Sequence, residues 1–375
     1  MKKVLFVTLD FPPNKGGVAT FYKNVCDFFP AKNLFVIAPH ASDSHNFDEG
    51  KKYRIYRKKM LSKNSFVWPK WAGLAKDVYD IVKKEKIEAI IAGQILPIGT
   101  IAYIMKINKN IPYYIFCHGR DISMLSGRKK IIAKKVIREA KGIFVNSNFT
   151  KHLIENFKYP HSHIHTIYPC PEILPNPSDL EMIKIKNEYD LYNKKILLTV
   201  GRIIERKGHD MVIKCLPEIL KKYNNVVYVM AGEGPHKQAL QALARQYEVN
   251  DHIIFTGNIK DSEAACLYEL CDIFIMPARQ MANKDVEGFG IVYLEANLFG
   301  KPVIGGKSGG IPEAVVHEKT GFVVDPTSAK EITKNVLYLL DNPDKAHVLG
   351  IQGMDRVHSQ FQWHNQVEKI KKIIQ

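Results

Sequence analysis

Two carboxylates, Glu287 and Glu295, stand eight residues apart around a Gly-Phe-Gly turn in the run Asp-Val-Glu-Gly-Phe-Gly-Ile-Val-Tyr-Leu-Glu that begins at Asp285. Ile273 to Pro277 reads as a short buried strand, and the apolar spacing from Ile291 to Leu298 predicts a helix packed on a sheet. Gly288 and Gly290, on either side of Phe289, let a backbone come close to a ligand. The free N–H groups from there to Ile291, reinforced by the helix dipole, favour an anion such as a diphosphate. Glu295, one turn inside the helix, is placed to accept hydrogen bonds from a ribose diol. Glu287, before the turn, is free to hold hydroxyls of whatever is joined to the far phosphate. Taken alone, the pattern also suits a capped loop ahead of an ordinary amphipathic helix.

Its neighbours favour the chemical reading. The turn Gly201-Arg202-Ile203-Ile204-Glu205-Arg206-Lys207-Gly208 follows the apolar strand Lys195 to Val200. It sets Arg202 and Lys207 at a strand's carboxyl end, where open α/β sheets bind ligands and where a guanidinium can fork onto phosphate oxygens. A solvated basic turn is the alternative for this segment alone. Gly232-Glu233-Gly234-Pro235 is not a dinucleotide fingerprint, because Lys237 stands where a glycine is needed and Pro235 occupies the turn. A fourth glycine-rich turn, Gly305 to Glu313, follows Pro302-Val303-Ile304. In the first half, His118 comes at the mouth of the apolar strand Tyr113 to Cys117; a lone histidine in such a place is more often structural.

The order G-R-x4-K-G, G-x-G-P, E-G-F-G-x4-E-A and G-G-x-P-E, with Thr320-Gly321-Phe322 after it, resembles the retaining glycosyltransferases of family four. Asp10 to Ala19 (Asp-Phe-Pro-Pro-Asn-Lys-Gly-Gly-Val-Ala) and His118-Gly119-Arg120-Asp121 match the family's amino-terminal half. Within the family, Met276-Pro277-Ala278-Arg279 with Asp285-Val286-Glu287-Gly288 is similar to the phosphatidylinositol mannoside mannosyltransferases, which use GDP-mannose. The resemblance implies the α/β GT-B fold, two Rossmann-like domains whose parallel sheets face a central cleft. It implies that His118 supports the donor sugar, that Gly16-Gly17 lets a ligand approach the backbone, that Glu287 holds donor hydroxyls, and that Asp10 and Asp121 serve the acceptor. Retention of configuration is likewise implied by the family. No D-x-D pair occurs, so no metal or other cofactor is expected; Arg202, Lys207 and the amides from Gly288 to Ile291 would stabilise the leaving diphosphate.

The elements that position these residues are legible in outline. A chain of 375 residues, 46% hydrophobic, suits two α/β domains. Strands alternate with helical stretches in both halves, the signature of parallel sheets. Pro169, Pro171, Pro175 and Pro177 make the best linker, since they remove backbone donors and fix φ. The expected organisation is a first domain over 1–172, a linker over 173–190, a nucleotide-sugar domain over 191–355 and a terminal segment over 356–375. The resemblance implies that the last helices, around Gln362 to Ile374 with Trp363 as an anchor, cross back onto the first domain. Six cysteines without paired or metal-ligand spacing read as reduced cytosolic thiols. Neither a secretory segment nor a transmembrane helix is expected.

The net charge of +16 is concentrated in the first half. The run Lys51 to Lys63 holds seven cations, and Gly127 to Lys141 holds seven more around Ile131, Ile132, Val136 and Ile137. Such a surface suits anionic lipid, or a helix whose apolar side packs in the core. No nucleic-acid module accompanies it, so nucleic acid is not an expected partner. The sequence thus predicts a retaining, metal-independent hexosyltransferase. It would move mannose from GDP-mannose to a lipid-linked or glycan acceptor, peripheral on the cytoplasmic face of an anionic membrane. A UDP-sugar enzyme acting on a soluble acceptor, a glycoside phosphorylase or hydrolase, and a non-catalytic nucleotide-binding protein stand as alternatives.

Overall fold

The computed structural model describes residues 1–14, 16–62, 64 and 68–375, with Arg120 described by its backbone. Lys15 of the first-half motif and Lys63 of the basic run lie outside the described residues. The chain divides into two compact units, Met1–Pro169 with Gln362–Gln375, and Cys170–Phe361.

The first unit is built on seven parallel strands, β1 (Val4–Val7), β2 (Leu34–Pro39), β3 (Arg54–Lys58), β4 (Ala89–Ala92), β5 (Tyr113–Cys117), β6 (Gly142–Val145) and β7 (Ile164–Thr166), in the order β3-β2-β1-β4-β5-β6-β7. β1, β4, β5 and β6 are buried along their whole length, which is why they read as unbroken apolar runs rather than alternating ones. Chain order reverses between β1 and β4, and ligands of such sheets bind outside the strand ends at that reversal. The segments leaving β1 and β4 carry Asp10 and Gln94, and His118 follows β5 next door. The terminal helix Trp363–Ile374 belongs to this unit: Trp363 packs edge-on against Phe21 at 5.3 Å, and the Tyr114 hydroxyl donates to the Ile373 carbonyl at 3.1 Å.

The second unit repeats the plan with six parallel strands, β8 (Lys195–Val200), β9 (Val226–Ala231), β10 (Ile253–Gly257), β11 (Ile273–Met276), β12 (Val303–Gly306) and β13 (Gly321–Val324), ordered β10-β9-β8-β11-β12-β13. Its reversal lies between β8 and β11, so the turns after these strands, 201–208 and 277–290, are brought to one edge. The proline-rich stretch lacks regular structure up to Ser178, where a capping box with Glu181 opens the helix Asp179–Glu188 inside the span 173–190. That helix buries Ile185 and packs against the helix Asp261–Leu270. At the far end, Pro343–Gln360 is one helix, carrying the unit to Phe361.

Candidate active site

At the reversal edge of the second unit, glycines let backbone pack directly on backbone. Gly208 is left-handed (φ 79°), and a Cβ there would come within 2.1 Å of the Pro277 carbonyl oxygen. Gly309 (φ 56°) lies as close to the carbonyl of Glu287, and the Gly310 amide donates to that same carbonyl at 3.1 Å. The turn at Gly232 and Gly234 presses on the carbonyls of Gly201 and Ile203, and Ile203 N–H donates to Glu233. This accounts for the turn that fails as a dinucleotide fingerprint: its glycines serve contact with the 201–203 segment. Four glycine-rich turns far apart in sequence therefore hold one another.

The charges sit on this scaffold. Glu287 Oε2 accepts from Arg206 Nη1 at 2.5 Å and from Lys207 Nζ at 2.7 Å, with all three side chains largely buried. Arg206 Nε also lies 3.4 Å from Asp285. Burial pushes the Glu287 carboxyl up, but the charges and hydrogen bonds of Lys207 and Arg206 outweigh it and hold the pKa down at about 2. The guanidinium of Arg279 donates to Asp210 at 2.8 Å and its amide donates to the Arg206 carbonyl, bracing the cationic turn from behind. Arg206, immediately before Lys207, was not among the residues singled out from sequence. Arg202, which was, is exposed, and its side chain has no ion-pair partner among the described residues.

Gly290 is left-handed (φ 91°) and caps the helix Ile291–Leu298; a Cβ there would strike the Tyr293 ring at 2.5 Å. The amides of Ile291 and Val292 make no hydrogen bond among the described residues, so they stand ready for an anion. Phe289 is buried with its ring against Phe361, so its side chain packs the turn and is not presented to a ligand. Glu295 Oε2 accepts from the Tyr268 hydroxyl at 2.7 Å; burial raises the carboxyl's pKa and this hydrogen bond partly offsets it.

In the first unit, a cavity of about 940 Å³ opens at the reversal edge. Its wall is mostly apolar, from Trp68, Trp71, Leu96, Met124, Leu125 and Ile132, while Asp10, Gln94, His118, Asp121 and Lys129 supply the polar groups. Gln94 Nε2 donates to Asp10 at 3.0 Å. Asp121 Oδ1 accepts the His118 amide at 3.0 Å, its Oδ2 is buried without a partner, and burial pushes its pKa up to about 6. Burial lowers His118 to about 4. Gly16 (φ 154°) and Gly17, at the start of the helix Gly17–Asp27, are exposed, and a Cβ at either would meet nothing, so packing does not demand glycine there. Asp10, His118 and Asp121 were legible from sequence and the tryptophans were not; their signal was two of the chain's three tryptophans within four residues, Trp68-Pro69-Lys70-Trp71.

The two basic runs differ. In the first, Lys51 pairs with Asp27, Arg54 with Glu85, Arg57 with Asp48 and Lys58 with Asp77, at 2.7–2.9 Å, so four of its cations are committed within the protein. This corrects the expectation that the whole run is available to lipid. In the helix Gly127–Arg138, Ala133, Val136 and Ile137 go to the core, while Ile131 is 71% and Ile132 49% exposed. Arg128, Lys129, Lys130 and Lys134 are exposed beside them with no ion pair among the described residues. The apolar stripe read from sequence is therefore two surfaces. Among the described residues no helix is long and apolar enough to cross a membrane, and all six cysteines are buried and outside any disulfide.

Two parallel Rossmann-like units, each with its candidate site residues at the sheet reversal, make up the GT-B fold. Residues 182–356 match the model of the group 1 glycosyl transferases, and residues 15–170 match that of glycosyltransferase family 4. The chain belongs to the family 4 glycosyltransferases. It is similar to a GDP-mannose-dependent alpha-(1-6)-phosphatidylinositol monomannoside mannosyltransferase of Mycobacterium tuberculosis, 28% identical over 99% of this chain and 97% of the relative. It is also similar to a GDP-mannose-dependent monoacylated alpha-(1-6)-phosphatidylinositol monomannoside mannosyltransferase of Corynebacterium glutamicum, 27% identical over 100% of this chain and 98% of the relative. Among solved structures, Anabaena HepE in complex with UDP superposes with a TM-score of 0.84 at 18% identity, covering 99% of this chain and 98% of that one.

Proposed function

We propose that the protein transfers mannose from GDP-mannose, with retention and without a metal ion, to a lipid-linked acceptor at an anionic membrane surface. The cavity of the first unit carries the lipid part of this reading. A polar saccharide alone has little use for a wall of Trp, Leu, Met and Ile, whereas an amphiphile would set its head on Asp10, Gln94, His118 and Asp121 and its hydrocarbon on that wall. Ile132 and Lys129 belong both to the cavity and to the exposed helix Gly127–Arg138, so entry from an anionic bilayer needs no second surface. The donor is inferred from the mannosyltransferase relatives.

The second unit supplies the donor chemistry. As the bond to the anomeric carbon breaks, charge builds on the departing diphosphate. Arg202, Lys207 and the amides opening the helix Ile291–Leu298 meet that charge in place of a divalent ion. Lys207 and Arg206 together keep Glu287 ionised, which suits Glu287 to accept hydrogen bonds from the sugar's hydroxyls. With two cations on Oε2 it is a poor nucleophile and no proton donor at neutral pH. Glu295 takes the ribose, and His118 supports the transferred sugar. The test is nucleoside diphosphate release from a panel of nucleotide sugars, with and without EDTA, over vesicles carrying a phosphatidylinositol-type glycolipid. GDP release from GDP-mannose that survives chelation is expected; release from UDP-sugars alone, or only with added magnesium or manganese, overturns the reading.

A further inference from the structure

Tyr22 is fully buried on the helix Gly17–Asp27, and its hydroxyl lies between two partners. It donates to the carbonyl of Gly93, just past β4, and sits 2.8 Å from Nε2 of His118, just past β5. A carbonyl oxygen only accepts, and a phenol has a single proton to give. With that proton on Gly93, the phenol oxygen is left as an acceptor, so the group facing it must donate. We propose that Tyr22 is a positioning residue that fixes His118 in the Nε2–H tautomer, leaving Nδ1 as a hydrogen-bond acceptor for a sugar hydroxyl.

Burial raises the Tyr22 phenol well above its ordinary range and lowers His118, so both are neutral near pH 7 and the imidazole carries one proton. Nδ1 has no partner among the described residues, and His118 lines the cavity. The ring is held in place by Phe21 edge-on at 5.2 Å and Phe116 stacked at 6.2 Å. Gly93 admits the arrangement: a Cβ there would fall 2.8 Å from Thr8 and 3.1 Å from the Tyr22 ring. A hydroxyl-rich substrate needs acceptors as well as donors. An imidazole locked this way can only accept through Nδ1, and it does not deliver a proton to the leaving group. The tautomer stands on the hydrogen bonds alone; its use in transfer rests on the proposed function.

The experiment is long-range ¹H–¹⁵N correlation on the full chain labelled at histidine nitrogens, at pH 7, with His118 identified by its loss in His118→Gln. A pyrrole-type Nε2 and a pyridine-type Nδ1 are expected. In Tyr22→Phe, which removes only the hydroxyl, the ring should move to a mixture or to the Nδ1–H form. Turnover should then fall roughly tenfold, the scale of one hydrogen bond, with nucleoside diphosphate affinity unchanged. A wild-type His118 protonated on Nδ1 or on both nitrogens overturns the proposal, as does an unchanged tautomer in folded Tyr22→Phe. Should that variant fail to fold, the wild-type spectrum decides. The expected tautomer in a protein that transfers from no nucleotide sugar would count against the functional reading and not against the tautomer.

Discussion

The two units share a sheet plan and a binding edge, yet they equip that edge in opposite ways. In the second unit the polar groups are ions held against ions, Arg206 and Lys207 on Glu287, with Asp285 alongside and Arg279 on Asp210 behind. In the first unit the edge is a mostly apolar cavity whose polar centre is a neutral imidazole beside a carboxyl of raised pKa. A diphosphate needs fixed positive charge, and a buried cation survives without its ligand only if a carboxylate keeps it company. Hydroxyls and hydrocarbon need hydrogen bonds and dry walls. The folds do not separate the roles of the units; the turns do.

Removing a cation from the second unit should have the largest effect. Lys207→Ala is expected to lower turnover by about 10²–10³-fold, the scale of a lost preorganised donor to developing charge. Arg206→Ala should cost roughly 3 kcal/mol of stability as well, because it leaves buried carboxylates under-compensated. Steady-state rates and urea unfolding check both. Filling the other site should act on a different constant: Thr100→Trp, in the cavity of the first unit, is expected to raise KM for a lipid acceptor about tenfold. Nucleoside diphosphate affinity, followed by calorimetry, should not move; a loss there would erase the division of labour.

The basic runs sharpen the contrast further. Neutralising Lys129, Lys130 and Lys134 to Gln should release the protein from anionic vesicles in co-sedimentation, each contributing about 1 kcal/mol, with the attraction fading in salt. Arg57→Gln and Lys58→Gln should leave vesicle binding nearly unchanged, since those cations answer Asp48 and Asp77.

What was legible from sequence was the set of charged and glycine-rich turns, because strands and turns are local signals. Partnership was not legible. Arg206 reaches Glu287 across 81 residues, and nothing in the turn 201–208 says which of its cations will be buried and which, like Arg202, will face solvent. The same limit applies to Lys51–Lys63, whose acidic partners Asp27, Asp48, Asp77 and Glu85 come from other elements. Ile131, Ile132, Val136 and Ile137 fit one helical stripe by spacing, and only the packed sheet divides them. Tyr22 gave no signal at all: a tyrosine in an apolar helix reads as core, and its hydroxyl matters only because Gly93 and His118 meet there.

The smallest expected difference concerns acid. His118 and His209 are both held at about 4 and titrate near 6.5 when unfolded, so the unfolded state takes up protons first and stability falls as pH drops from about 6.5 to 4. Asp121, raised from 3.8 to about 6, works the other way between those values, because its folded form keeps the proton. In the first unit the two nearly cancel below pH 6. In the second, His209 should lose on the order of 1.4 kcal/mol per pH unit, and the raised carboxyl of Glu295 offsets part of that loss. All three tryptophans, Trp68, Trp71 and Trp363, lie in the first unit. Between pH 6 and 5 the urea midpoint read by their fluorescence should therefore move less than that read by circular dichroism, and equal shifts would refute the assignment.

The claim on which the account turns is that the first unit's cavity takes the hydrocarbon of an acceptor whose sugar is extended from a donor held by the second. The most direct measurement compares GDP release from GDP-mannose with two acceptors sharing one head group, a phosphatidylinositol-type glycolipid in anionic vesicles and the same glycosyl-inositol phosphate without its chains. The account predicts efficient release with the lipid and a kcat/KM at least about tenfold lower without the chains, abolished as a difference by Thr100→Trp. Equal kcat/KM for the two acceptors in the wild-type protein would contradict it.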